Sequence, residues 1–355
     1  MKLLMITGLG SAKDLASGKR GAFYNTLEEF SKYWDRIDII SPKVETRDKR
    51  QVKAKVYAEE LLREFSQTSF FGNVYVHVSP WPLILHPIFF IKKALEIYKE
   101  QKFNLMTVHE FPPFYNGIAA RILWQFLRVP YLLEIFHIPG YPKATDTKEE
   151  IYRNLLKLFV KYDANKARAV RVMNGQVSDF LIRAGVPKEK IVYIPAVYID
   201  TDIFKPINLS KEYDLIFIGR LEKNKGINLF LEAINLLNDP NSRFYIPNAR
   251  SIIVGDGSLL ASLKSNQNIV FHGWAKDSTE IAELLNKSKV LVMPSYNEGG
   301  PRVVVEALAC GVPVLATPVG IVPDLLKNGL GGEIIDWGRD DIAQKIQGLL
   351  NDSAK

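Results

Sequence analysis

Two doubly wound α/β domains, each built on a parallel sheet, are the fold class this sequence predicts. Three observations predict it. The chain has 355 residues, more than a single hydrophobic core usually serves, so two domains are expected. Apolar runs of strand length alternate with amphipathic runs of helix length along the whole chain. Continuous apolar strands joined through helices belong to parallel sheets covered on both faces. The series also restarts after a punctuated stretch, "IPAVYIDTDIFKPINLSKEYD" at 194–214, which places the joint between the halves.

In the first domain, residues 1–200, strands are expected at 2–7, 37–40, 74–78, 105–108, 131–135, 169–172 and 191–194. Helices are expected near 21–33, 83–99, 115–127, 148–163 and 175–184. The charged run 43–65 reads as a helix with an exposed basic edge. In the second domain, residues 201–355, strands are expected at 215–218, 251–254, 269–271, 290–293 and 314–316, with a closing helix at 340–350. Ligands of open parallel sheets bind beyond the carboxyl ends of the strands, so two such sheets predict an inter-domain cleft as the site.

Composition narrows the class. With 47% apolar and 24% charged residues the chain is globular, and no run approaches the roughly 20 apolar residues of a membrane span. The best candidate, 81–98, carries two prolines, a histidine and two lysines. "MKLLMITGLG" is broken by glycine too early for a signal peptide and reads as a buried first strand. The single cysteine, Cys310, excludes an internal disulfide and fits a reducing, cytoplasmic setting. On the apolar helix 302–310 it reads as a small core residue.

The net charge of +7 is uneven: residues 1–200 hold 30 basic against 21 acidic side chains, residues 201–355 hold 16 against 18. A basic first half suits an anionic partner such as the inner face of a membrane or a lipid phosphate; a solvated basic surface is the other reading. No nucleic-acid-binding motif accompanies the charge.

The chemistry concentrates in the second half. In "EGGPRVVVEALACG" (298–311), Pro301 suits a helix's opening turn and Gly311 its end. Such a helix N-terminus attracts phosphate. Glu306, one turn inside, can accept hydrogen bonds from a ribose diol, and Glu298 on the entering loop can reach hydroxyls across that phosphate. An amphipathic helix with a solvated Glu306 is the competing reading. In "DLIFIGRLEKNKG" (214–226) a strand delivers Gly219 and Arg220, with Lys225 before the next helix. Two such cations can neutralise a diphosphate and stabilise it as a leaving group; ordinary loop charges are the alternative. "IIVGDG" (252–257) is again strand and Gly-x-Gly.

Together "GRLEKNKG", "IIVGDG", "IVFHGW" and "VLVMPSYNEGGPRVVVEALACGVPVLATPVG" resemble the retaining family 4 glycosyltransferases of the GT-B fold. The Glu-x7-Glu element is their most specific signature, and the likeness is strongest over 214–337. The resemblance implies transfer of a hexose-type sugar from a nucleotide-diphosphate sugar to a glycan or lipid-linked acceptor, with retained configuration and no metal or other cofactor. It implies that Arg220 and Lys225 hold the donor diphosphate, Glu306 the ribose and Glu298 the transferred sugar. Gly219, Gly255, Gly299 and Gly300 would line the donor, and Gly273 and Trp274 would border the base. In "VHEFPPFYNGIAARILWQFLRVPYLLEIFHIPG" (108–140), His137 falls where the family places an active-site histidine; a structural histidine is the alternative. His109 and Glu110 end another strand and are expected on the acceptor side. The family's glycine pair in the first loop is replaced by "SGKRGAF" (17–23), so Gly18, Lys19 and Gly21 are carried only as acceptor-side candidates. Pro301-Arg302 replaces the commoner aromatic-glycine after the first glutamate, a change expected to bear on which sugar is accepted. A nucleotide-sugar epimerase of the same fold and a non-catalytic nucleotide-sugar binder remain open.

Two rival motifs fail. "GLG" at 8–10 needs a third glycine at 13, which is Lys13, so the dinucleotide fingerprint is absent. "DTD" at 200–202 imitates a metal-binding Asp-x-Asp, but Asp200, Phe204 and Pro206 match the linker pattern of the family, and the motif reads as structural.

Overall fold

The computed structural model describes residues 1–8, 22–43, 70–195, 199–263 and 268–351. The chain divides into two compact units. One comprises Met1–Phe136, Asn154–Val172 and Phe180–Val192, the other His137–Arg153, Met173–Asp179 and Tyr193–Lys355.

The first sheet is fed by β1 (Lys2–Ile6), α1 (Ala22–Ser31), β2 (Arg36–Ser41), β3 (Val74–Val78), α2 (His86–Gln101), β4 (Leu105–His109), α3 (Asn116–Leu127), β5 (Tyr131–Ile135), α4 (Thr147–Asn165), β6 (Ala169–Val172), α5 (Gly175–Arg183) and β7 (Ile191–Tyr193). Its order is β3-β2-β1-β4-β5-β6-β7, and β1 to β6 pair in parallel. The helix expected from 83 begins at His86, preceded by a 3-10 turn at Leu83–Leu85. Pro87 accounts for this start, because proline is tolerated in a helix's first turn and not deeper.

The second sheet follows from β8 (Tyr213–Ile218), α6 (Ile227–Asn238), β9 (Ser251–Val254), β10 (Ile269–Gly273), α7 (Ser278–Asn286), β11 (Ser288–Met293), α8 (Arg302–Ala309), β12 (Val314–Ala316), α9 (Val322–Leu325), β13 (Gly332–Ile334) and α10 (Arg339–Asn351). Its order is β10-β9-β8-β11-β12-β13, all parallel. Strand periodicity explains why both faces need helices. In β8, Leu215 and Phe217 enter one core while Ile216 enters the other, and in β11 Val290 and Val292 oppose Leu291 and Met293. Successive side chains of a strand point to opposite faces. Each face is therefore apolar and each is covered.

Chain order reverses between β8 and β11, with β9 on one side of β8 and β11 on the other. In doubly wound sheets the ligand sits beyond the strand ends at such a switch point. The loops leaving β8 and β11 are those that carry Arg220, Lys225 and Glu298.

Candidate active site

Backbone packing brings these two loops together. At the end of β8 the Gly219 N–H donates to the Val254 carbonyl at 2.9 Å, and the Gly255 N–H donates to the Gly273 carbonyl at 2.7 Å. Gly255 has a φ of +140°, and a Cβ there would lie 1.9 Å from the Gly219 carbonyl oxygen. Only glycine lets the ends of β8, β9 and β10 lie this close. Gly226 repeats the device, with φ +71° and a hypothetical Cβ 2.0 Å from the Pro294 carbonyl oxygen. The turn holding Lys225 is thus pressed against the loop after β11, and the Tyr296 N–H donates to the Asn224 carbonyl at 2.8 Å.

The result is an ion pair between the Lys225 ammonium and Glu298 Oε1. The Ser295 hydroxyl donates to the same oxygen at 3.1 Å. Ser295 is itself fixed, since its carbonyl accepts from Trp337 Nε1 at 3.0 Å and from Thr317 Oγ1 at 2.5 Å. Arg220 lies exposed at the end of β8, and Trp274, just past Gly273, is 62% exposed.

Glu306 is not a solvated surface residue. It is buried one turn into α8, with only 7% of its surface exposed. Its nearest cation is Arg302, at 3.2 Å on the same helix. Burial raises its pKa above the ordinary carboxylate value, with Arg302 pulling the other way. A carboxylate held this far out of water is poised to gain from a hydroxyl partner. Pro301 sits at the N-cap of α8, one position earlier than an opening-turn proline. Cys310 is buried, and its thiol pKa is pushed up to about 11 by that burial, which suits the core role read from the sequence.

Two buried asparagines that the sequence reading missed hold the Glu298–Gly300 stretch. Asn297 donates through Nδ2 to Glu149 Oε2 at 3.0 Å and to the Lys143 carbonyl at 3.2 Å. Its Oδ1 lies 3.1 Å from His137 Nε2. Asn174 donates to the Gly299 carbonyl at 2.5 Å and accepts from the Val177 N–H at 2.9 Å. Because a trans peptide opposes its C=O and N–H, fixing the Gly299 carbonyl on Asn174 turns the Gly300 N–H the other way. The Gly299 carbonyl has little room, since a Cβ on Gly320 would lie 2.6 Å from its oxygen. In sequence, both asparagines look like ordinary turn residues; only their burial distinguishes them.

The structure therefore pairs Lys225 with Glu298 directly, packs Gly226 against the loop after β11 and Gly219 against Gly255, and links His137 to the loop after β11 through Asn297. His109 is half-buried with its ring 4.8 Å from that of Phe136. Glu110 is buried, and its carboxylate accepts from the N–H groups of Asn116 and Gly117 at the start of α3. That is the geometry of a helix cap. Gly18, Lys19 and Gly21 lie outside the described residues.

Residues 199–355 match the family model described as glycosyl transferases group 1. The chain is 26% identical to an N,N'-diacetylbacillosaminyl-diphospho-undecaprenol alpha-1,3-N-acetylgalactosaminyltransferase of Campylobacter jejuni, over 90% of this chain and 82% of that protein. It is 25% identical to a UDP-Gal:alpha-D-GlcNAc-diphosphoundecaprenol alpha-1,3-galactosyltransferase of Escherichia coli, over 73% of this chain and 70% of that one. Among solved structures, HepE of Anabaena in complex with UDP and glucose superposes with a TM-score of 0.68 at 18% identity, covering 99% of this chain and 90% of that one. The parallel sheets, the glycine-gated strand ends and these likenesses agree: residues 199–355 belong to the group 1, or family 4, glycosyltransferases, retaining enzymes that transfer sugars from nucleotide sugars, and the chain has the GT-B fold.

Proposed function

We propose that the protein moves a hexose-type sugar from a nucleoside diphosphate sugar, with UDP as the first nucleotide to try, to a lipid-linked or glycan acceptor. The observation that carries this reading is the Lys225–Glu298 pair beside the end of β8. It sets a cation for a diphosphate and a carboxylate for sugar hydroxyls side by side. In this reading the second half, residues 201–355, binds the donor, and the basic first half, residues 1–200, meets the acceptor.

Arg220 and Lys225 take the charge that develops on the departing diphosphate, the largest electrostatic demand of the reaction. The anomeric carbon becomes electron-poor as that bond lengthens. The acceptor hydroxyl attacks from the face the diphosphate leaves, and a phosphate oxygen takes its proton. Glu306 holds the ribose and Glu298 the sugar. The reaction asks no metal, because the two cations and the α8 terminus supply the positive field. His109 remains a candidate on the acceptor side; Glu110 is not kept there, given its place on the α3 cap.

A lipid-linked acceptor is supported by the names of the two curated relatives, both acting on diphosphoundecaprenol-linked sugars, and by the basic first half. In the 3-10 turn before α2 Ile84 is 70% exposed, and in the first turn of α2 Ile88 is 58% exposed, while Phe89 is buried and packs edge-on against Trp81. The exposed Ile84 and Ile88, with Lys92 nearby, suit a peripheral contact with an anionic leaflet. Among the described residues no helix is long and apolar enough to cross a membrane.

The test is a panel of nucleoside diphosphate hexoses with diphosphoundecaprenol-linked sugars, run with and without EDTA. The expected result is transfer with retained anomeric configuration that survives chelation. Donor hydrolysis or epimerisation without transfer would overturn the acceptor reading. Activity lost to EDTA and restored by manganese would overturn the metal-free step.

A further inference from the structure

Asn297 is 1% exposed, and the geometry around it decides which end of its amide is which. One terminal atom lies within hydrogen-bond distance of the Lys143 carbonyl and of Glu149 Oε2. A carbonyl only accepts. Glu149 Oε2 already accepts from the Thr145 N–H at 2.8 Å, so it too acts as an acceptor. An amide atom between two acceptors has to be the NH2 group. The opposite atom is then the oxygen, and it faces His137 Nε2 at 3.1 Å. An oxygen that can only accept requires a proton on Nε2.

We propose that Asn297 is a positioning residue that fixes His137 as the Nε2–H tautomer, leaving the Nδ1 lone pair to accept a hydrogen bond from a hydroxyl of the donor sugar. The inference deepens the reading above, and its second half rests on His137 lying at the donor. It changes what His137 does there. A ring protonated on Nε2 alone cannot donate through Nδ1, so it selects a hydroxyl on the sugar and gives nothing to a phosphate oxygen. It also gives a physical role to the residue directly before Glu298, linking the two ligand-facing positions through one loop.

The charged groups that face the imidazole are Glu298, Glu149 and Lys225. Burial lowers the His137 pKa below its ordinary value; the Asn297 hydrogen bond and the two glutamates oppose this, and Lys225 adds to it. The neutral ring is thus the form present at neutral pH. Acidification puts a proton on Nδ1 and converts the acceptor into a donor, so on the acid side the sugar hydroxyl loses the acceptor for its own proton.

The experiment uses the full chain labelled with 15N-histidine, in which only five histidines contribute. Long-range 1H–15N correlation identifies each tautomer, and the His137→Gln variant assigns the signal. The wild type is expected to show a pyridine-like Nδ1 and a protonated Nε2 at pH 7.5. Asn297→Asp places a carboxylate against Nε2–H, which favours the imidazolium. The His137 titration should then rise by about one unit or more, and the acid limb of kcat/KM should move with it. An Nδ1–H tautomer or a doubly protonated ring in the wild type overturns the inference. So does an Asn297→Asp protein that keeps its melting temperature and its His137 titration unchanged. If that variant does not fold, the wild-type tautomer decides alone. If the tautomer and the shift are as expected but His137→Gln transfers at the wild-type rate, the sugar contact is refuted, and with it the placement of His137 at the donor, while the amide assignment stands.

Discussion

Replacing Glu298 by Gln should tighten the free nucleoside diphosphate and weaken the use of the intact donor. The roles read from the sequence alone would have this variant spare the free nucleotide. The structure gives a different expectation, because Glu298 is paired with Lys225, the cation assigned to the diphosphate. Both side chains are largely out of water, 14% and 20% exposed, so the pair is felt more strongly than a surface bridge. A diphosphate arriving at Lys225 competes with Glu298 for the ammonium and is also repelled by that carboxylate. Two like charges roughly 6 Å apart at an effective dielectric near 20 oppose each other by about 3 kcal/mol. Screening at physiological ionic strength leaves about 1–2 kcal/mol. That corresponds to roughly 5- to 30-fold tighter diphosphate binding once the charge is removed. With the sugar attached, the balance reverses. Losing a charge-assisted hydrogen bond to a hydroxyl costs about 1.5–3 kcal/mol, which offsets the gain or exceeds it. Calorimetric titration with nucleoside diphosphate and with donor, beside kcat/KM for transfer, reads both effects. Unchanged or weaker diphosphate binding in a folded Glu298→Gln protein would refute the competition.

Arg220→Ala should weaken diphosphate and donor alike, by about 1.5–3 kcal/mol, without a gain for the free nucleotide; titration of both ligands checks it, and unaltered affinities remove Arg220 from the site. Ile84→Asp with Ile88→Asp should reduce co-sedimentation with anionic vesicles and leave transfer to a water-soluble acceptor intact; binding that ignores both the substitutions and salt counts against the membrane face. Stability should depend on pH through a buried acid pair, since burial lifts the Asp163 pKa to about 8 and burial plus Asp163 lifts Glu110 well above its usual value. Folded pKa values above the unfolded ones mean stability that is complete below about pH 4 and lost as pH climbs towards about 8. Asp163→Asn should flatten that decline, measured as melting temperature between pH 5 and 8.5; equal slopes in both proteins would show that the pair does not titrate as argued.

The alternation of apolar strands and amphipathic helices was legible because both faces of each sheet are buried, which leaves uninterrupted runs such as Leu215–Phe217 and Val290–Val292. Strand β13 was not legible: it is three residues long and contains Gly332 and Glu333. Its place depends on Gly332, where a Cβ would come 1.9 Å from the Val314 carbonyl oxygen, a tertiary fact with no local signature. In the candidate site, Glu298 and Lys225 were visible as charges placed beside glycine, and Glu306 by its spacing from Glu298. Asn174 and Asn297 were not, because an asparagine in a turn has the same composition signal whether solvated or holding a neighbour. Glu110 shows the converse error. Its position at a strand end suggested a ligand contact, yet Gly117 lies where a Cβ would come 2.6 Å from its carboxylate and 2.7 Å from Asp163. The glycine makes room for two acids, which a linear reading cannot see.

The loop from Pro294 to Gly300 assigns one task to each of several consecutive residues. The Pro294 carbonyl receives the approach of Gly226, the Ser295 carbonyl is held by Trp337 and Thr317, and Tyr296 docks on the Asn224 carbonyl. Asn297 then reaches His137, Glu298 reaches Lys225, and the Gly299 carbonyl is held by Asn174. Side chains that act through one short backbone cannot be perturbed independently, since contacting or jointly anchored residues are coupled by about 0.5–3 kcal/mol. Weakening an anchor such as Asn174 should therefore loosen the positions of Glu298 and Gly300 together, lowering transfer more than nucleotide binding. Glu298 itself should do the reverse for the free nucleotide. The sign of the effect on diphosphate affinity thus separates a residue that competes for the ligand from one that only holds the loop. Asn174→Ala combined with Glu298→Gln makes the distinction quantitative. If the anchor acts by placing Glu298, the second substitution has less left to change, and the two effects on transfer sum to less than their parts. Strict additivity would mean that the anchor and the carboxylate work separately.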